Sequence, residues 1–148
     1  MIIDDKLMKY VVFKKRTEME IRQKCKRLEY TDEYIEDIIQ YLTENEYIND
    51  SRYVERYINN VLKLKKSSIF EMKMDLLRRG VKEEYIDSYI ESHQTELEEF
   101  ENDSARKIVE KKAQTTEIEK IKRYLRGKGY SYTSIADAID NNRTLQDN

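Results

Sequence analysis

The sequence predicts an all-α protein built as a tandem array of three three-helix repeats. Three observations predict it. The chain repeats itself about every fifty residues: Cys25, Leu76 and Leu125 align, as do Glu29, Gly80 and Gly129, then Tyr30, Val81 and Tyr130, then Ile35, Ile86 and Ile135, with offsets of 51 and 49. A period of this length marks small helical repeats that bury their apolar faces on one another. The 148 residues include no proline and three glycines, which fits long helices joined by short polar links. Apolar residues recur at helical spacing, and no stretch alternates with period two for long enough to make a strand.

The first repeat spans residues 1–49. Leu7, Tyr10 and Val11 predict a short helix. Thr17 and Glu20 form a capping box, in which hydroxyl and carboxylate each cover an orphan backbone amide. The middle helix that follows, Glu18 to Leu28, carries Ile21, Cys25 and Leu28 on one face. Thr31-Asp32-Glu33 starts a third helix with acids in its first turn, where the dipole favours negative charge. Its stripe is Tyr34, Ile35, Ile38, Ile39 and Leu42.

The second repeat, 50–99, copies the plan. Asp50 or Ser51 caps a helix with Tyr53, Val54, Tyr57, Ile58 and Val61. Ser68 and Glu71 repeat the capping box, and Gly80 stops the middle helix in a left-handed conformation. Tyr85, Ile86, Tyr89 and Ile90 form the third stripe, and all these striped tyrosines read as core or inter-repeat contacts. In the third repeat, 100–148, a helix opens near Asp103 with Ala105, Ile108 and Val109. Thr116 with Glu119 is the third capping box, Gly129 the stop, and Ser131 the cap of a last helix containing Ile135, Ala138 and Ile139. The tail NNRTLQDN has no pattern and is expected to fray.

Composition narrows the function classes. Charged residues make up 39% but balance to a net −2, so electrostatics of the whole molecule do not announce nucleic-acid binding. A single cysteine excludes an internal disulfide and fits a reducing compartment. No apolar run approaches the ~20 residues that span a bilayer, and the N-terminus has no signal-peptide segment. The expectation is a soluble cytoplasmic protein that does not engage membranes.

The charges follow the repeats. Middle helices are basic and third helices acidic, the latter clearly so in the first two repeats and weakly in the third: residues 29–50 hold eight acids and no lysine or arginine. One reading is that neighbouring helices of opposite sign pair correctly and stay soluble. The other is that the middle helices present a basic stripe to a long anionic partner. The candidate binding residues are Arg16, Arg22 and Lys24 in the first repeat, Lys73, Arg78 and Arg79 in the second, and Lys122, Arg123, Arg126 and Lys128 in the third. Tyr130 and Tyr132, beside Lys128, are candidates for an exposed aromatic contact, with Tyr130 placed on the binding surface.

Catalysis finds little support. His93 is the one histidine and Cys25 the one cysteine, with no H-x-x-x-H or C-x-x-C spacing for a metal. Cys25 occupies the core position of Leu76 and Leu125. Gly127-Lys128-Gly129 lacks the frame of a phosphate loop and follows a helix rather than a strand. No catalytic residue, metal or cofactor is assigned.

Three stretches resemble the RecX family, regulators of the recombinase RecA. Tyr47-Ile48-Asn49-Asp50-Ser51-Arg52-Tyr53-Val54 is similar to the family's G-(Y/F)-I-(D/N)-D-x-(R/K)-(F/Y)-A junction. Leu76-Leu77-Arg78-Arg79-Gly80-Val81 is similar to E-L-x-x-K-G-(I/V). Tyr124-Leu125-Arg126-Gly127-Lys128-Gly129-Tyr130-Ser131-Tyr132 is similar to (F/Y)-L-x-x-(R/K)-G-F-(S/D)-(Y/F). The resemblance runs from about Leu7 to Ile139. It implies an elongated, curved array that binds as a monomer in the groove of the RecA–DNA filament, limits recombinase and coprotease activity, touches DNA there, and has no enzymatic activity. The segment Lys65–Ile69 departs from the family pattern in lacking glycine and proline, and the chain starts almost directly on its first helix, so altered filament binding is expected. A helical nucleic-acid-binding module that acts without RecA is the competing expectation.

Overall fold

The computed structural model describes residues 1–147, with side chains through Gln146. Among them are nine helices and no strand: α1 Asp5–Phe13, α2 Glu18–Arg27, α3 Asp32–Glu44, α4 Asp50–Leu64, α5 Ile69–Arg78, α6 Glu83–Ser92, α7 Gln94–Lys112, α8 Ile118–Gly127 and α9 Tyr132–Asp147. The order is three helices per repeat, with α2, α5 and α8 in the middle; α2 and α8 are basic, while in α5 Glu71 and Asp75 balance Lys73 and Arg78.

The chain divides into two compact units. One comprises Met1–Tyr57 with Leu76–Asp87; its core holds Leu7 and Val11 of α1, Ile21 and Cys25 of α2, and Ile35, Ile38, Ile39 and Leu42 of α3. The other comprises Ile58–Asp75 with the chain from Ser88 onward; its core holds Ala105 and Val109 of α7, Ile121 and Leu125 of α8, and Ile135, Ala138 and Ile139 of α9. In both, the i, i+3, i+4 apolar stripe faces inward.

The middle helices begin and end alike, and each unit contains one junction that joins such a beginning to such an end. In the first unit, Thr17 Oγ1 accepts from the Glu20 amide at 3.2 Å and donates to the Arg79 carbonyl at 2.6 Å. In the second, Ser68 Oγ accepts from the Glu71 amide at 3.0 Å and donates to the Lys128 carbonyl at 2.6 Å. Both hydroxyls are buried. A carboxylate answers the next amide each time: Asp50 Oδ1 accepts from Glu18 N at 3.1 Å, and Glu101 Oε1 accepts from Ile69 N at 2.9 Å. Glu101, only 4% exposed, also accepts from the hydroxyls of Ser131 at 2.9 Å and Ser134 at 2.6 Å. Its carboxylate is therefore buried but satisfied. Burial raises the pKa of Asp50, against the lowering effect of the Glu18 amide.

The receiving ends are Schellman caps. The amides of Val81 and Tyr130 bond back to the carbonyls of Leu76 at 3.1 Å and Leu125 at 3.0 Å. Gly80 and Gly129 adopt φ of +88° and +86°. A side chain there would collide as well as strain: a Cβ on Gly80 would lie 2.8 Å from Met19 Cγ, and one on Gly129 2.7 Å from Phe70 Cγ. Glu29, at the aligned position of the first repeat, shares the left-handed conformation at φ 62°. There the Tyr30 amide closes the same turn on Cys25 O at 3.2 Å, and the side chain is exposed. The turn geometry alone therefore tolerates a side chain, and the packed neighbour is what demands glycine.

The structure corrects several local expectations. Asn49 caps α4, its Oδ1 accepting from the Arg52 amide at 3.0 Å, while Asp50 turns to Glu18 instead. Helix α7 starts at Gln94 rather than near Asp103. Its inward face runs Leu97, Glu101, Ser104, Ala105, and the glutamate in that row hid the period. Thr116 forms no box: Glu117 is the N-cap of α8, without a side-chain hydrogen bond. The offset of 49 from Ser68 lands on Glu117, which is exposed. Helix α9 continues through the tail to Asp147, and Asn148 lies outside the described residues. Of the striped tyrosines, Tyr34 packs on the core of the first unit as expected, Tyr53, Tyr57 and Tyr89 are half-buried, and Tyr85 is exposed.

Two tests follow from the junction. Gly80→Ala and Gly129→Ala should each lower stability by ~2–4 kcal/mol, adding left-handed strain to overpacking; Glu29→Gly should stay within about 1 kcal/mol. Urea unfolding measures all three, and equal effects at the three sites would refute the packing account. Ser68→Asp replaces one good N-cap by another but cannot donate to Lys128 O, so it should cost ~2 kcal/mol or more despite its capping propensity; an unchanged unfolding midpoint would refute the dual role.

Candidate functional site

The cations proposed from the sequence separate into those held by the fold and those left at the surface. Arg22 is held most firmly. Its Nη1 and Nη2 donate to Glu36 at 2.6 and 3.2 Å, and its Nε donates to Glu18 at 3.0 Å. The pairing raises the guanidinium pKa, chiefly through Glu36, and lowers that of Glu36 in return. This pair joins basic α2 to acidic α3, so the charge alternation works here as helix pairing. Arg16 is half-buried: Nε donates to Tyr10 O at 3.1 Å and the guanidinium lies 3.8 Å from the Tyr10 ring centre. Lys24 stands 5.4 Å from the same ring. Arg79 donates from Nη1 to Tyr53 Oη at 2.7 Å and sits 4.9 Å from the Tyr57 ring. Lys73 is half-buried and Arg78 exposed.

In the second unit, Lys122 pairs with Glu119 at 3.4 Å, and Arg123, Arg126 and Lys128 are exposed. Lys122 and Arg126 line a cleft of about 590 Å³ together with Tyr132, Arg143 and the acids Glu119 and Asp140. Tyr132 is 88% exposed, as expected of a surface aromatic. Tyr130 is the correction: it is 5% exposed and belongs to the core with Val109 and Leu125. It follows the left-handed glycine, the position whose side chain folds back onto the end of its own helix. Burial pushes its phenol pKa far up.

The sequence reading missed a cluster in the first unit. The α1–α2 link brings Lys15 and Arg16 to a shallow groove shared with Arg52 and Arg56 of α4, beside Tyr53 and a single acid, Glu46. Arg52 and Arg56 are exposed. Their i, i+4 spacing on the exposed face of α4 is the signal in the sequence that marks them.

Cys25 is fully buried, and burial raises its thiol pKa, which disfavours the thiolate. His93 stacks on Tyr89 at 4.0 Å and hydrogen-bonds through Nδ1 to Tyr89 O at 2.9 Å. Among the described residues no group of three or more His, Cys, Asp or Glu is placed to hold a metal ion, and no helix is long and apolar enough to cross a membrane.

No protein-family model matches the chain. Individual proteins do. "Regulatory protein RecX" of Clostridium acetobutylicum is 30% identical over 133 residues, covering 84% of this chain and 61% of that protein. The protein of the same name from Clostridium perfringens is 32% identical over 143 residues, covering 88% and 65%. The chain thus spans less than two thirds of these relatives. The crystal structure of RecX from Lactobacillus salivarius superposes with a TM-score of 0.79 over 93% of this chain and 92% of that one; at 22% identity it speaks for the fold.

The separation of cations is testable. Arg52→Glu with Arg56→Glu should weaken retention on heparin while leaving the thermal midpoint unchanged. Arg22→Ala should destabilise by about 0.5–1 kcal/mol with little effect on retention. Retention governed by Arg22 instead would overturn the division.

Proposed function

We propose that the chain is a member of the RecX family and that it regulates the recombinase RecA by occupying the groove of the RecA–DNA filament. It limits recombinase, ATPase and coprotease activity by binding, without chemistry of its own. The observation that carries this reading is likeness in sequence and in fold along nearly the whole chain. Residues 1–49, 50–99 and 100–148 are read as three repeats that each offer exposed cations to the filament. In this reading the contact set is Arg78, Arg123, Arg126 and Lys128 together with Lys15, Arg52 and Arg56, while Arg22 and Arg79 brace the helices that carry them.

The near-neutral net charge supports contact with protein as well as with DNA. Only local clusters attract phosphates, and long-range steering is weak. The groove of Lys15, Arg16, Arg52 and Arg56 with its neighbouring tyrosine favours one second reading, a module that binds single-stranded nucleic acid without RecA.

RecA's DNA-dependent ATPase, measured with purified protein added at several-fold excess under filament-forming conditions, decides the first reading: the rate should fall, and an unchanged rate sinks it. Reversing Arg52, Arg56, Arg123 and Arg126 to glutamate should abolish the effect. DNA binding without RecA that weakens with a log–log salt slope of about −3, near −0.7 for each of four phosphate contacts, would favour the second reading.

A further inference from the structure

Four lysines in the second unit converge on one concave site. Lys66 comes from the α4–α5 link, Lys111 and Lys112 from the last turn of α7, and Lys128 from the turn after α8. They line a cleft of about 660 Å³, inside the range of small-ligand sites, ~300–1,000 Å³. Among the described residues, none of the four is held by a carboxylate, whereas Arg22, Arg106, Lys107 and Lys122 are each paired. The one acid in the cleft, Glu71, has an oxygen committed to the capping box, accepting from Ser68 N at 3.1 Å.

Gathering four ammonium groups around a single carboxylate raises the energy of the empty site, because each ammonium repels the others. A bound polyanion removes that repulsion. The site also has a place for a planar group. Tyr124 is exposed, its ring centre 4.1 Å from Lys112 Nζ and 5.7 Å from Lys128 Nζ, and Ile108 supplies an apolar wall. Gln114, Thr115 and Thr116 add neutral hydrogen-bonding groups along the rim.

We propose that this cleft binds a free nucleoside polyphosphate, with Lys66, Lys111, Lys112 and Lys128 on the phosphates and the base stacked against Tyr124. The concentration of charge favours a compact polyphosphate. A strand spaces its phosphates along a path, and its charge is better met by cations spread along a groove. The proposal does not depend on the RecA reading.

Calorimetric titration of the purified chain with ATP in magnesium-free buffer tests it, with tripolyphosphate and an oligothymidylate as the other ligands. ATP is expected to bind at one site per chain. Lys111→Glu with Lys112→Glu, the first residue exposed and the second half-buried, should weaken ATP binding at least about tenfold. Tyr124→Ala should weaken ATP about tenfold and leave tripolyphosphate unaffected, since only the base stacks. Circular dichroism confirms that each variant folds. No saturable ATP binding, or ATP binding indifferent to the lysine reversals, overturns the proposal. So does a site that takes the oligothymidylate but neither ATP nor tripolyphosphate, which would make it a strand-binding surface.

Discussion

One buried hydroxyl per junction holds the repeats together, and it does so by serving two helix ends at once. The oxygen of Thr17 or Ser68 accepts from an amide of its own helix, and its proton goes to a carbonyl at the end of the next middle helix. Every helix leaves unsatisfied amides at its start and carbonyls at its finish. Burying either without a partner costs roughly 1–3 kcal/mol. Aspartate is an equally good cap for its own helix but has no proton to give. The positive start of one dipole also meets the negative end of another, which adds to the attraction.

The other features of the junction follow from that contact. For the hydroxyl to reach the carbonyl, the following residue must let the chain pass close, so Gly80 and Gly129 have no room for a Cβ beside Met19 and Phe70. The next amide of the incoming helix is covered by Asp50 in one case and Glu101 in the other. Where no neighbour arrives, the requirement lapses: Glu29 stands at the aligned turn, and Glu117 at the aligned cap is exposed and makes no capping bond.

The same distinction between groups that brace and groups that are free organises the charged surface. The alternation of basic and acidic helices has two meanings, and single residues divide between them. Arg22 spends its guanidinium on Glu18 and Glu36. Arg52, Arg56, Lys111 and Lys112 lie outside the middle helices, where repeat-based reading did not look, yet they line the basic concavities of their units. A surface made for an anionic partner is built from cations brought together by chain folding, so helix-by-helix composition finds only part of it.

The sequence by itself determined the helical class, the threefold pattern, two of the capping boxes and the two left-handed glycines. These depend on spacing within one turn or one helix, which is written locally. Tertiary structure alone decided the rest. The row Leu97, Glu101, Ser104 became an inward face because Glu101 finds its partners on other helices, Ile69 N and the hydroxyls of Ser131 and Ser134. Tyr130 went to the core although it reads like a surface aromatic beside Lys128, because the Schellman turn folds it back. The lysine cleft draws on positions as distant as Lys66 and Lys128. A residue's local pattern tells which backbone it favours; which groups it meets depends on packing between segments far apart in the chain, and electrostatics acts across that distance rather than along the sequence.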